Sequence, residues 1–282
     1  MGVQILVDST ADFSAMEIEK RQITCIPMTV AFGNEQYTDG VNLTKEEFFV
    51  KLMNEKDFPK TSQPSPARFA EYFEQAKENG DDVVAILISG ALSGTIQSAT
   101  IAKDIAEHDG VYIVDSKSAT LGIRLLVDRA VRMRDQGKSA QEIVDTLEDL
   151  KPRIRLYAGL DTLEYLQKGG RISKAAASIG RLAGIKPIVT ISQEGEVAVC
   201  GKQRGNKHVF RQIIKYVEAD MPDENYPVYF LYSADKKNCI SFIQTMQKNG
   251  LDFGKIKTRE IGPTIGSHIG PGAFGIVYIA KE

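Results

Sequence analysis

An α/β fold, with a mostly parallel N-terminal sheet domain followed by an α+β C-terminal domain, is predicted by three observations. Up to about residue 150, apolar segments of strand length alternate with helical segments opened by capping residues. The run 83–88 is apolar throughout, the form a strand takes in a parallel sheet covered on both faces. After Lys151-Pro152 the alternation stops, and two apolar segments flank Gln193-Glu194-Gly195 as an antiparallel hairpin would. These changes divide the chain into domains over 1–150 and 151–282.

Taken in order, the apolar run 3–7 forms the first strand and ends at the turn-forming Asp8-Ser9-Thr10. Ser14 with Glu17 makes a capping box for a short helix, and 23–32 reads as one strand. Thr44 with Glu47 caps a helix over 45–55. Pro64 and Pro66 keep the segment 61–66 out of continuous helix or sheet, until Ser65 caps a helix that ends near Asn79-Gly80. Strand 83–88 then leads through a Gly/Ser-rich turn to a helix, strand 112–114 ends at Asp115-Ser116, and 119–136 suits a long helix stopped by Gly137. Ser139 with Glu142 caps the next helix. Beyond the boundary the expected elements are strand 154–160, a small-residue helix over 173–182, hairpin strands 188–191 and 196–200, strand 228–232, helix 236–248 and strand 255–261. A Gly-rich loop over 262–275 and strand 276–280 complete the chain.

The chain has 282 residues, of which 43% are hydrophobic and 26% charged, so it can bury a sizeable core and is not a disordered or membrane-spanning sequence. Its net charge of −2 supplies no broad footprint for nucleic acid or an anionic membrane. Cys25, Cys200 and Cys239 are too few and too scattered for a disulfide framework or a zinc site, and His108, His208 and His268 are the only histidines. No metal site is expected. The N-terminal segment lacks the features of a signal peptide, so the cytoplasm is the expected location.

Four segments carry possible chemistry. Ser89-Gly90-Ala91-Leu92-Ser93-Gly94-Thr95 stands at the carboxyl end of a buried strand, where open α/β sheets bind ligands. There Ser93 offers an anion its hydroxyl and the amides of a helix N-terminus; alternatively it only caps that helix. A serine hydrolase using Ser93 with His268 is the rival reading, although Ala91 breaks the G-x-S-x-G elbow. Thr61 and Ser62 hold two hydroxyls beside a proline-stiffened turn. Gly262, Gly266, Gly270, Gly272 and Gly275 surround His268, and glycine at that density permits close backbone approach. Arg171 and Arg204 are candidates for a basic surface. By contrast, Asp8-Ser9-Thr10-Ala11-Asp12 lacks the acid spacing of aspartyl phosphatases and reads as an Asx turn, and the ATP and dinucleotide glycine loops are missing.

In this order the segments resemble the DegV family of bacterial fatty-acid-binding proteins, which includes FakB, the binding subunit of fatty acid kinase. The matching stretches are Val7-Asp8-Ser9-Thr10-Ala11-Asp12, Thr61-Ser62-Gln63-Pro64-Ser65, Ser89-Gly90-Ala91-Leu92-Ser93-Gly94-Thr95, Val114-Asp115-Ser116, Gly169-Gly170-Arg171-Ile172, Lys186-Pro187-Ile188 and His268-Ile269-Gly270-Pro271-Gly272. The resemblance implies a long-chain fatty acid held between the domains without a cofactor, in a protein that is not itself an enzyme. It further implies that Thr61 and Ser93 bond the carboxylate, with Ser62, Gly94, Thr95 and His268 at the same end. A separate ATP-dependent kinase subunit, FakA in that system, would meet Arg171 and Arg204. The segment Gly205-Asn206-Lys207-His208 departs from the more basic run of relatives at that surface.

Overall fold

The computed structural model describes residues 2–55, 57–172, 184–254 and 256–282. A four-stranded parallel sheet comprises β1 (Val3–Asp8), β2 (Ile23–Ile26), β6 (Asp82–Leu87) and β7 (Val111–Asp115) in the order β2-β1-β6-β7. Alternation along the strands sends Leu6, Val83, Ala85 and Leu87 to one face, against helices α3 (Pro66–Asn79) and α4 (Thr95–Ala106). Ile5, Val7, Val84 and Ile86 point the other way, onto α5 (Leu121–Asp135) and α6 (Ala140–Leu150). Covered on both faces, the strands read as continuous apolar runs, as expected for a parallel sheet.

A six-stranded mixed sheet follows, ordered β10-β9-β8-β13-β11-β12 from β8 (Ile154–Gly159), β9 (Ile185–Ile191), β10 (Val197–Arg204), β11 (Tyr229–Tyr232), β12 (Lys257–Glu260) and β13 (Phe274–Ile279). The hairpin around Gln193-Glu194-Gly195 is β9–β10, and the α/β-then-α+β class holds. Phe274, Ile276 and Tyr278 face helices α8 (Asn206–Ala219) and α9 (Lys237–Lys248), whereas Val277 and Ile279 share a core with α5. That helix is therefore buried on nearly every side, which is why 119–136 carries so little exposed polar surface. It forms the wall between the two large sheets. The helix expected over 173–182 lies outside the described residues.

Three expectations are corrected. The segment 23–32 is not one strand: Pro27, which has no amide to give a ladder, ends β2, and the chain leaves the parallel sheet to form β3 (Thr29–Phe32). β3 is the middle of a small antiparallel sheet with β4 (Glu35–Thr38) and β5 (Lys60–Ser62), packed on α2 (Lys45–Asn54). β5 forms within the segment expected to be irregular, since both prolines lie beyond its last residue. Finally, the loop expected over 262–275 contains the two-turn helix α10 (Pro263–Ile269), with proline in its first turn and Gly270 at its end. Gly266 faces Phe48 there, whose ring would lie 2.6 Å from an added Cβ.

Candidate functional site

Strands of the parallel sheet end at polar turns, and those turns meet the α5-facing side of the mixed sheet around one apolar cavity. About 850 Å³ of space not filled by protein lies within it, open solvent at its mouth included. Leu156, Ala158, Val189 and Leu231 of the mixed sheet supply its floor, and Ile88 and Ala119 belong to the opposite wall. Polar groups gather at one end: Thr61, Ser62, Gln63, Ser93, Arg171 and His268.

Each arrives by a different local route. Thr61 is paired with Val30 in the small sheet, and Ser62 and Gln63 follow it at the exposed mouth. Ser93 is half-buried and is not a helix cap; the N-cap of α4 is Gly94, and no side chain bonds the amides there. Ser93 Oγ instead lies 2.8 Å from Thr95 Oγ1, which reaches Met28 Sδ at 3.8 Å. Gly94 packs against the Gln63 amide, which would stand 2.6 Å from an added Cβ and would have to turn aside for one. Thr95 is fully buried, so both residues stand behind Ser93. Arg171 follows α7 (Glu164–Lys168), donates to the Leu92 and Gly169 carbonyls at 3.0 and 2.6 Å, and thereby ties the 89–95 turn to the second sheet. Arg204 is exposed at the end of β10 and does not line the cavity.

His268 is carried by α10, whose start is clamped by two buried carboxylates. Asp12 accepts from the Gly262 amide at 2.7 Å, and Asp39 accepts from the Thr264 amide at 3.3 Å and its hydroxyl at 2.5 Å. Asp8 closes the turn after β1, accepting from the Thr10 and Ile88 amides at 2.9 and 2.8 Å, as an Asx turn does. Burial raises the pKa of all three carboxyls, that of Asp39 to about 6.

His268 Nε2 lies 2.8 Å from Thr61 Oγ1, and its Nδ1 is buried without a hydrogen-bond partner. A Cβ on Gly169 would sit 2.1 Å from that Nδ1, so only glycine allows the ring this position. An orphaned N–H costs more than an orphaned lone pair, which assigns the proton to Nε2 and leaves the Thr61 hydroxyl hydrogen free for the cavity. Burial, reinforced by the nearby Arg171 charge, pushes His268 down from 6.5 to about 4. The ring is neutral at pH 7. A hydrolytic Ser–His pair is not assembled, because Ser93 bonds Thr95, His268 bonds Thr61, and Nδ1 has no carboxylate to orient it.

The depressed pKa makes His268 a source of acid instability: the unfolded chain takes up its proton near 6.5, the folded one only near 4, so this stability is lost as pH falls between them. Its size is about 3 kcal/mol at ~1.4 kcal/mol per pKa unit. Asp39, raised from 3.8 to about 6, acts oppositely, adding stability as pH falls through that window. A His268→Gln protein should therefore gain about 2–3 kcal/mol on the wild type between about pH 7 and pH 4.5, read from urea midpoints. An unchanged gap would show that the ring is solvated.

Among the residues that motif reading did not select, Gln63, Met28 and Thr264 also line the cavity. Gln63 stands beside Thr61 and Ser62 in a polar, proline-stiffened segment, within one of the stretches that carry the family resemblance.

Fold and site together define a class: an α/β protein with two large sheets, an apolar cleft between them and a small polar end that holds hydroxyls and a neutral imidazole. The chain belongs to the DegV family, whose profile, described as uncharacterised proteins, matches residues 2–281. It is 36% identical over 279 residues to a DegV domain-containing protein of Caldanaerobacter subterraneus, covering 99% of each chain. It is 35% identical to another from Deinococcus radiodurans, covering 98% of each. Among solved structures it resembles a Thermus thermophilus DegV family protein described by its fatty acid binding, with a TM-score of 0.89, 33% identity and full coverage of both chains. A stearic-acid-binding protein from Eubacterium ventriosum matches with a TM-score of 0.88 and 30% identity over 100% of this chain and 99% of that one. Among the described residues, no helix is long and apolar enough to cross a membrane.

Proposed function

We propose that this protein holds a long-chain fatty acid non-covalently and presents its carboxylate, in the cytoplasm, to a separate ATP-dependent kinase subunit. The carrying observation is the one-ended cavity: walls that are mostly aliphatic, with Met28, Thr120 and Thr264 among them, and hydroxyls, an amide, an imidazole and a guanidinium gathered at one end. Removing about fourteen methylenes from water at ~0.8 kcal/mol each is worth roughly 11 kcal/mol before ordering and association costs, enough for retention without a covalent bond. The fatty acids named for the Thermus and Eubacterium relatives support the same ligand class.

Thr61 and Ser93 bond the carboxylate in this reading. Thr61 is already free to donate, and Ser93 becomes so when the Thr95 hydroxyl turns from its weak sulfur contact toward Ser93 Oγ. Hydroxyl donors leave the carboxylate nucleophilic, as phosphoryl transfer to it requires. Arg171 at the mouth and exposed Arg204 are the side chains offered to the partner. Solvent extraction of purified protein with mass spectrometry should yield close to one intact fatty acid per chain. An empty protein that cannot be loaded, or one that turns over acyl esters, overturns the reading.

A further inference from the structure

The apolar cavity ends against a second space of different character. A cleft of about 560 Å³, open solvent included, lies on the other side, lined by Lys117, Glu148, Lys151 and Gln193 among others. Leu156 and Ile191 line both. Strand geometry explains this double exposure. Ala158 pairs with Val189 in the antiparallel β8–β9 ladder, Leu156 and Ile191 each lie two residues beyond that pair on the same side of their strands, and β10 sets Val197 opposite Ile191. All three side chains form a row across the sheet. Along β8 the chain runs from Leu156 through Ala158 toward Leu166 and Arg171, so the row stands on the side of the cavity away from Arg171 and against the second cleft.

We propose that Leu156 and Ile191 are the stop that sets acyl-chain length. This rests on the fatty-acid reading above and adds the residues that select among such acids. Beyond the row Lys151 is held by Glu148 at 2.6 Å and by the Asp115 carbonyl at 2.9 Å, and Gln193 bridges to the Pro152 carbonyl at 3.1 Å. A methyl end pushed past the row would meet these polar groups and water, so each further methylene gains nothing.

The test offers delipidated protein an equimolar mixture of saturated acids of about 12 to 22 carbons and reads the retained lengths by mass spectrometry. Truncating each side chain removes about three carbons, part of which the cavity recovers by relaxing, so L156A/I191A should move the preferred length up by about two to four carbons. Ile191→Phe, at a half-buried position, should move it down by about two and supports or refutes the assignment even if the double variant does not fold. Lengths unmoved in either variant, with the wild type loaded, overturn the stop while leaving fatty-acid binding intact. A wild type that takes up no acid overturns the fatty-acid reading itself, and the stop with it.

Discussion

Arg124→Met is expected to lower folding stability by about 3–5 kcal/mol, the cost of breaking a buried ion pair from one side. The Arg124 side chain is fully buried, and its guanidinium lies 3.9 Å from the centre of the Phe13 ring. It donates to both Glu17 carboxylate oxygens at 2.8 and 3.0 Å and to the Asp12 carbonyl at 2.8 Å. Although burial works against ionisation of Glu17, the Arg124 and Ser14 bonds and the Arg124 and Arg259 charges hold it well below the usual carboxylate range. Methionine would fill the space but leave Glu17 with Arg259, at 3.0 Å, as its remaining cation, which places the loss toward the lower end. Denaturant unfolding measures it, and Arg124→Met with Glu17→Gln should recover part of the loss by removing the stranded charge. A loss below about 1 kcal/mol would mean that the pair is solvated. The site should register this change, because Asp12, whose carbonyl Arg124 holds, clamps the helix that carries His268.

How much of this was legible depended on the range over which a feature is decided. The parallel sheet was visible because 83–88 is apolar on both faces, and Thr61 and Ser93 were visible because they are small polar residues in segments marked by proline or glycine, although Thr61 proves to lie in a strand. Pro27 was visible too, but β-branched residues on both sides of it masked the break it causes. Helix α10 hid behind its glycines, although Pro263 and Gly270 bracket a helix in the expected order. Tertiary placement was beyond reach. Thr61 and His268 meet across 207 residues, and Asp39, in an ordinary polar turn, becomes a buried clamp only when α10 packs on it. Leu156 and Ile191 look like any strand residues until two cavities are seen to share them. The basic pair suggested by Arg171 and Arg204 divides between a half-buried tie to Leu92 and an exposed strand end.

Ser93→Ala combined with Thr61→Val should weaken binding of a long-chain fatty acid by about 10²–10³-fold, read by displacement of a fluorescent acid from delipidated protein. A hydrogen bond to a charged group contributes about 1.5–3 kcal/mol, and a tenfold change corresponds to ~1.4 kcal/mol, so either single change should cost roughly ten- to a hundredfold. The double loss should fall short of the product if, as proposed, both hydroxyls serve one carboxylate. Thr61→Val also strands the His268 Nε2 proton, so its stability should fall as well, whereas Ser93→Ala leaves the Thr95 hydroxyl its bond to Met28. A fatty alcohol of equal length separates charge recognition from cavity shape: its affinity should change far less than that of the acid. Equal losses for both would place the effect in packing. A Ser93→Ala protein that kept full affinity and supported full acyl-phosphate formation with an ATP-dependent kinase subunit would remove Ser93 from the headgroup. In that case Thr61, set by a neutral His268, would be the carboxylate's donor, and the acid would sit nearer the exposed Ser62 and Gln63 than the turn at Ser93.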